Sequence, residues 1–87
     1  MIIEVIGKEV RRSNKDGEIR EYTVLHCQHD PSRKDRDSVT GKQVFTSSFF
    51  PGNGLKSDVD KLVVPCMLNA DVSRNKGYVN IDDFEVI

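Results

Sequence analysis

Four cations fall within ten residues: Arg11, Arg12, Lys15 and Arg20, in the stretch RRSNKDGEIREY that ends on Tyr22. Guanidinium and ammonium groups at that density suit phosphates, because each brings N–H donors and a full positive charge. A phenol two residues further on brings a flat ring on which a nucleic-acid base stacks, a contact worth roughly 1–3 kcal/mol. The pattern recurs. Arg33, Lys34, Arg36 and Lys42 form a second basic tract, followed by Phe45, Phe49 and Phe50, and Arg74 and Lys76 precede Tyr78. Positive charge interleaved with aromatic rings is what a groove for a single-stranded polyanion needs. A plain β-protein would use the same residues as solvated loops and core rings. Phe84, and one of the adjacent Phe49 and Phe50, are expected in the core.

Other chemistries find less support. Gly52-Asn53-Gly54 lacks the Lys-Ser/Thr that would follow in a phosphate-binding loop. Asp82 and Asp83 are a carboxylate pair, but neighbours on a strand point to opposite faces. His26, Cys27 and His29, with Cys66 as a further ligand, lack the Cys-x-x-Cys or His-x₃-His spacing of a zinc site. The chain is therefore read as a non-enzymatic binding protein, with no cofactor, no metal and no small-molecule substrate.

Charge and size bound this reading. Eighty-seven residues make one domain, 1–87, and a chain of that length buries only roughly 60–65% of its unfolded surface, so a second subunit would add stability. The net charge is −1, which argues against a protein devoted wholly to nucleic acid. It hides an asymmetry of +2 over residues 1–56 and −3 over 57–87. A local field acts within about 8 Å at physiological salt, so basic loops on a near-neutral domain still attract a polyanion. No apolar run is long enough to cross a membrane, and MIIEVIGKEV does not read as a signal peptide, so a cytoplasmic protein is expected. Cys27 and Cys66 sit in strand-like runs and read as buried thiols, with a cross-strand disulfide as the alternative.

The elements that must position these groups are strands. Residues 2–10 alternate, Ile3 and Val5 facing one way and Ile2, Ile6 and Val10 the other, with a bend or bulge at Gly7. Asn14-Lys15-Asp16-Gly17 reads as a tight hairpin turn. Residues 19–28 alternate again, with Tyr22, Val24 and His26 on one face and Thr23, Leu25 and Cys27 on the other. A long loop follows, then a short strand over 43–50. Leu55, Val59 and Leu62 have helical spacing, with Ser57 as the N-cap. Leu62, Val64, Cys66, Leu68, Ala70 and Val72 define a fourth strand. Ser73-Arg74-Asn75-Lys76-Gly77 is a second hairpin turn, and residues 78–87 form a fifth strand with a bulge at Asp82-Asp83. Five strands in so short a chain bury themselves best by curling. The expected fold is all-β, a five-stranded OB-type small barrel with a short helical turn between strands three and four.

That order of parts resembles the gene V proteins of filamentous bacteriophages. The shared features are a short Met-Ile opening strand, a basic Ser-x-x-x-Gly hairpin leading to Tyr22, a long second loop, and a Lys-Gly hairpin ahead of a final Ile-Asp strand. The resemblance spans nearly the whole chain and rests on pattern more than on identities. It implies a homodimer of OB-type barrels that coats single-stranded DNA cooperatively during phage or plasmid replication, destabilising helices without strong sequence preference. It places Arg11, Arg12, Lys15 and Arg20 on phosphates and Tyr22 on bases. Arg74, Lys76 and Tyr78 fall in a loop that meets DNA or a neighbouring dimer. Arg33, Lys34, Arg36 and Lys42 would add charge, and Phe45 a ring. RNA is the alternative polymer. An OB-like protein-interaction module that binds no nucleic acid is the alternative function.

Overall fold

A computed structural model describes all 87 residues. Five strands and one helical turn follow in order: β1 (Ile2–Lys15), β2 (Glu18–His29), β3 (Gln43–Phe49), α1 (Lys56–Asp60), β4 (Cys66–Asn75) and β5 (Tyr78–Val86). All five belong to one antiparallel sheet, ordered β3-β2-β1-β4-β5. The edge strands β3 and β5 touch each other but share no hydrogen-bonded ladder. The sheet curls without closing.

Local chemistry accounts for the hairpins. The β1–β2 turn needs two residues at positive φ, and Asp16 (φ 55°) and Gly17 (φ 78°) provide them. Lys76 (φ 52°) and Gly77 (φ 82°) do the same between β4 and β5. Ile6 is the extra residue where β1 shifts register against β2, between Val5 and Gly7. Asp82 is the extra residue on β5, because Asp71 faces Asp83 while Val72 faces Ile81. Both irregularities fall where the alternation of side chains broke.

The inward face carries the core: Ile3 and Val5 of β1, Leu25 and Cys27 of β2, Phe49 of β3, Leu68 and Ala70 of β4, and Ile81 of β5. Val59 of α1 and Leu62 just after it close one end. The helical turn is shorter than its apolar spacing suggested, and Ser57 does not cap it. Leu55 stands at the N-cap with no side-chain bond, and Asn53 Oδ1 accepts from the Leu55 N–H at 2.8 Å. Asn53 sits ahead of the turn where its carbonyl oxygen can reach; Ser57 already lies inside it. Lys8 fastens the other end, its Nζ donating to the carbonyls of Asp60 (2.9 Å) and Leu62 (2.7 Å). Asp60 Oδ1 accepts from Thr23 Oγ1 at 2.5 Å and Oδ2 from Lys56 Nζ at 2.8 Å. The fourth strand starts at Cys66 rather than Leu62, although Leu62 and Val64 keep the expected inward phase. Pro65, with no N–H, cannot donate to a ladder there.

Both cysteines are free. Val5 pairs with Cys27 on one side and with Cys66 on the other, so the thiols lie two strands apart. Two strand spacings are roughly 9.5 Å, beyond the Cα separation that a disulfide spans. Burial pushes the Cys27 thiol up to about 12 and, less strongly, raises that of Cys66.

Candidate nucleic-acid interface

The β1–β2 ribbon runs well past the core. From Val10 to Tyr22 it holds no buried residue, and it helps give the molecule its 46 × 28 × 18 Å extents. Alternation splits the hairpin cations between its two faces. Arg11 lies opposite Tyr22, and Arg20, two residues before Tyr22, shares that face. Arg12 lies opposite Glu21 on the other face. Lys15 is at the tip, beside Asp16, Glu18 and Arg20.

Tyr22 is half-buried, and its ring lies flat on Phe50, with centroids 4.4 Å apart and 18° between the planes. The pairing of Thr23 with Phe49 sets this up: those two side chains point inward, so their neighbours Tyr22 and Phe50 both point outward. Phe50 was not among the site residues expected from the sequence. Its signal was the Phe49-Phe50 doublet, of which alternation can bury only one.

The Tyr22–Phe50 stack forms one wall of a groove of about 660 Å³. Thr46 and Ser48, on the outer face of β3, form its floor. The β4–β5 hairpin forms the far wall with Asn75, Lys76, Tyr78 and Asn80, and Arg11 stands at the ribbon end. A second cleft of about 440 Å³ continues along the seam between β3 and β5, sharing Thr46, Tyr78 and Val79 with the first. Arg74, Phe45, Gln43 and His29 line it. Three cations thus border the two clefts. No carboxylate does, in a chain with 14 acidic side chains. Glu9 and Asp35 stand behind the lining, on Arg11 and Gln43 respectively, and Asp71, Asp83 and Glu85 lie together on β4 and β5.

The structure brings together only part of the expected set. Arg11, Tyr22, Lys76 and Tyr78 share the groove, while Phe45 and Arg74 line its continuation. Phe45 also packs on the core, its ring tilted against His29 at 5.7 Å. Arg12, Lys15 and Arg20 stay on the ribbon outside the groove. Arg33, Lys34, Arg36 and Lys42 of the long loop border neither cleft. Lys42 bonds Asp30 at 2.7 Å, which holds the Asp30 carboxyl below its usual range and raises the Lys42 ammonium.

The hairpin guanidinium groups also have internal partners. Arg11 Nη2 sits 2.6 Å from Glu9 Oε1, Arg12 Nε 3.3 Å from Glu21, and Arg20 Nη2 4.0 Å from Glu18. All three pairs are well exposed. Exposed pairs of this kind contribute roughly 0–1 kcal/mol, so a phosphate can displace the carboxylate. Arg74 and Lys76 form no ion pair. Glu9 Oε1 also meets His26 Nε2 at 2.7 Å, and the bonds from Arg11 and then His26 hold its carboxyl below the usual range. Gly7 lies beside that imidazole, and a Cβ there would meet the His26 side chain at 3.5 Å, an ordinary packing distance. The Glu9–Arg11–His26 cluster was not expected from the sequence, because it depends on the β1–β2 register.

No helix is long and apolar enough to cross a membrane, and no three His, Cys, Asp or Glu side chains gather as a metal site. Compared with protein-family models, curated proteins and solved structures, the chain matches none.

Proposed function

We propose that the chain is a non-enzymatic single-stranded DNA-binding protein, and that the strand runs through the groove between the β1–β2 ribbon and the β4–β5 hairpin. The observation that carries this reading is the composition of the paired clefts: three cations, four aromatic rings and no acid, in a molecule of net charge −1. Arg11, Lys76 and Arg74 meet phosphates. Tyr22, Phe50 and Tyr78 stack on bases, which tolerates sequence because every base offers a flat face. Arg12, Lys15 and Arg20, outside the groove, steer the strand toward it.

The fold favours this use of the surface. In the order β3-β2-β1-β4-β5 with β3 beside β5, we read an OB-type barrel whose last seam is not laddered. OB-folds bind oligonucleotides on the face of strands two and three, between the first and last hairpin loops. That is where this groove lies. The same function is implied by the resemblance to gene V-type proteins, with RNA as the alternative polymer. A homodimer in the host cytoplasm belongs to the same reading, and the exposed Ile2 and Met67 offer it an apolar surface.

The experiment is a fluorescence-anisotropy titration of labelled oligo-dT at 50 and 200 mM salt. Arg74 and Lys76 each neutralise a phosphate and Arg11 shares its charge with Glu9, so log K against log salt should fall with a slope of about −1.4 to −2, at roughly −0.7 per phosphate. Arg11→Ala with Lys76→Ala should flatten that slope. Absence of binding, or binding indifferent to salt, would remove the reading and favour a protein-interaction module.

A further inference from the structure

What sets the seam cleft apart from the groove it continues is a buried acceptor left without a partner. Gln43 Nε2 donates to Asp35 Oδ2 at 3.3 Å, and this leaves Gln43 Oε1 sealed from solvent with no hydrogen-bond partner in the protein. Such an orphan acceptor is uncommon in a folded protein and calls for an explanation. His29 supplies the second acceptor. Its Nδ1 lies 2.7 Å from the Asp30 carbonyl oxygen, which can only accept, so Nδ1 carries the proton. In the neutral ring Nε2 is then the acceptor. Phe45 offers a ring beside His29, and Arg74 stands at the mouth without an ion pair.

We propose that this cleft is a base-receiving subsite that favours a base bearing an exocyclic amine. The inference rests on the single-strand reading, because the cleft opens from the proposed groove through Thr46, Tyr78 and Val79. A base leaving the Tyr78 end of the groove enters the seam and lies against Phe45. Its amine donates to Gln43 Oε1 and His29 Nε2, and Arg74 meets the phosphate of the same nucleotide. To meet the base the Gln43 amide turns toward the cleft at the expense of its one bond, the 3.3 Å contact with Asp35, about a terminal torsion that is soft. Cytosine puts an N–H₂ donor at the position where uracil puts a carbonyl acceptor. Against two acceptors the first gains hydrogen bonds and the second meets like dipoles.

The test compares oligo-dC with oligo-dU of equal length at pH 8, two pyrimidine polymers that differ only on that edge. The wild-type protein should bind dC roughly three- to tenfold more tightly, the worth of one or two net hydrogen bonds. Gln43→Leu removes one of the two acceptors, so it should weaken dC, relieve dU and bring the ratio down by about half of its logarithm while the salt slope holds, with folding followed by circular dichroism. In the wild-type protein, an oligonucleotide carrying 5-iododeoxycytidine should cross-link at Phe45. Equal binding of dC and dU by the wild-type protein would overturn the subsite and leave the single-strand reading intact. So would a preference that Gln43→Leu leaves undiminished. Failure to bind either polymer would overturn both.

Discussion

If the groove binds a single strand as proposed, Glu9 competes with phosphate for Arg11. Its Oε1 lies 2.6 Å from Arg11 Nη2, and Arg11 borders the groove beside Tyr22. Glu9→Gln keeps the side chain's size and its bonding to His26 but removes the charge that competes with phosphate for the guanidinium. Arg11 then meets a phosphate as a full counterion. One neutralised phosphate on a single strand contributes a factor of about [salt]^−0.7. Relative to 1 M salt that factor is about 8 at 50 mM and about 3 at 200 mM, so these are the upper limits of the gain in oligo-dT affinity. The log–log salt slope should steepen by up to about 0.7. The assay is anisotropy at four salt concentrations, wild type beside variant. A gain is informative because misfolding does not produce one. Unchanged affinity and slope in a folded Glu9→Gln protein would show that Arg11 does not reach the bound strand.

Three further outcomes follow from named contacts. Tyr22→Ala removes the ring stacked on Phe50 and, with it, one base contact worth roughly 1–3 kcal/mol; affinity for oligo-dT should fall about 5- to 150-fold while the salt slope holds, and a changed slope would mean that Tyr22 positions a cation instead. With its thiol pushed up to about 12, Cys27 is about 10⁻⁴ thiolate at pH 8; iodoacetamide should leave it unmodified in the native protein while alkylating it in guanidinium, and equal rates in both would contradict its burial. The Asp60 carboxyl is held below its ordinary 3.8, first by Lys56 and then by Thr23. A depressed folded-state value gives stability that is present above the unfolded value and lost as pH falls through the folded one. Thermal melts should therefore show wild type losing stability below about pH 4, and Asp60→Asn should be less stable at pH 7 with a flatter acid limb. Identical acid limbs would show that Asp60 contributes nothing.

The fold could be read from the sequence wherever local chemistry decided it. Asp16-Gly17 and Lys76-Gly77 set the hairpins, Ile3 and Val5 with Leu68 and Ala70 set the inward face, and Gly7 and Asp82-Asp83 marked where register slips. What depends on pairing could not be read in the same way. Phe50 becomes a partner of Tyr22 only once Thr23 faces Phe49, and Glu9 reaches both Arg11 and His26 only through the β1–β2 register. Counting cations gave the long loop as much weight as the hairpins, yet Arg33, Lys34, Arg36 and Lys42 border neither cleft. Charge density along a chain says nothing of which side of a sheet a loop leaves from. The helical turn is a smaller case: its N-cap is Leu55, two residues ahead of the expected Ser57, and Asn53 supplies the acceptor for the Leu55 N–H.

The chain has two tyrosines and no tryptophan, and both tyrosines line the groove. Intrinsic emission therefore reports on the proposed site without a label or a mutation. Titration with unlabelled oligo-dT at 50 mM salt should quench tyrosine fluorescence to saturation, and raising salt to 500 mM should restore it. Emission that stays constant while the oligonucleotide binds, or an oligonucleotide that does not bind at all, would contradict a strand lying between Tyr22 and Tyr78.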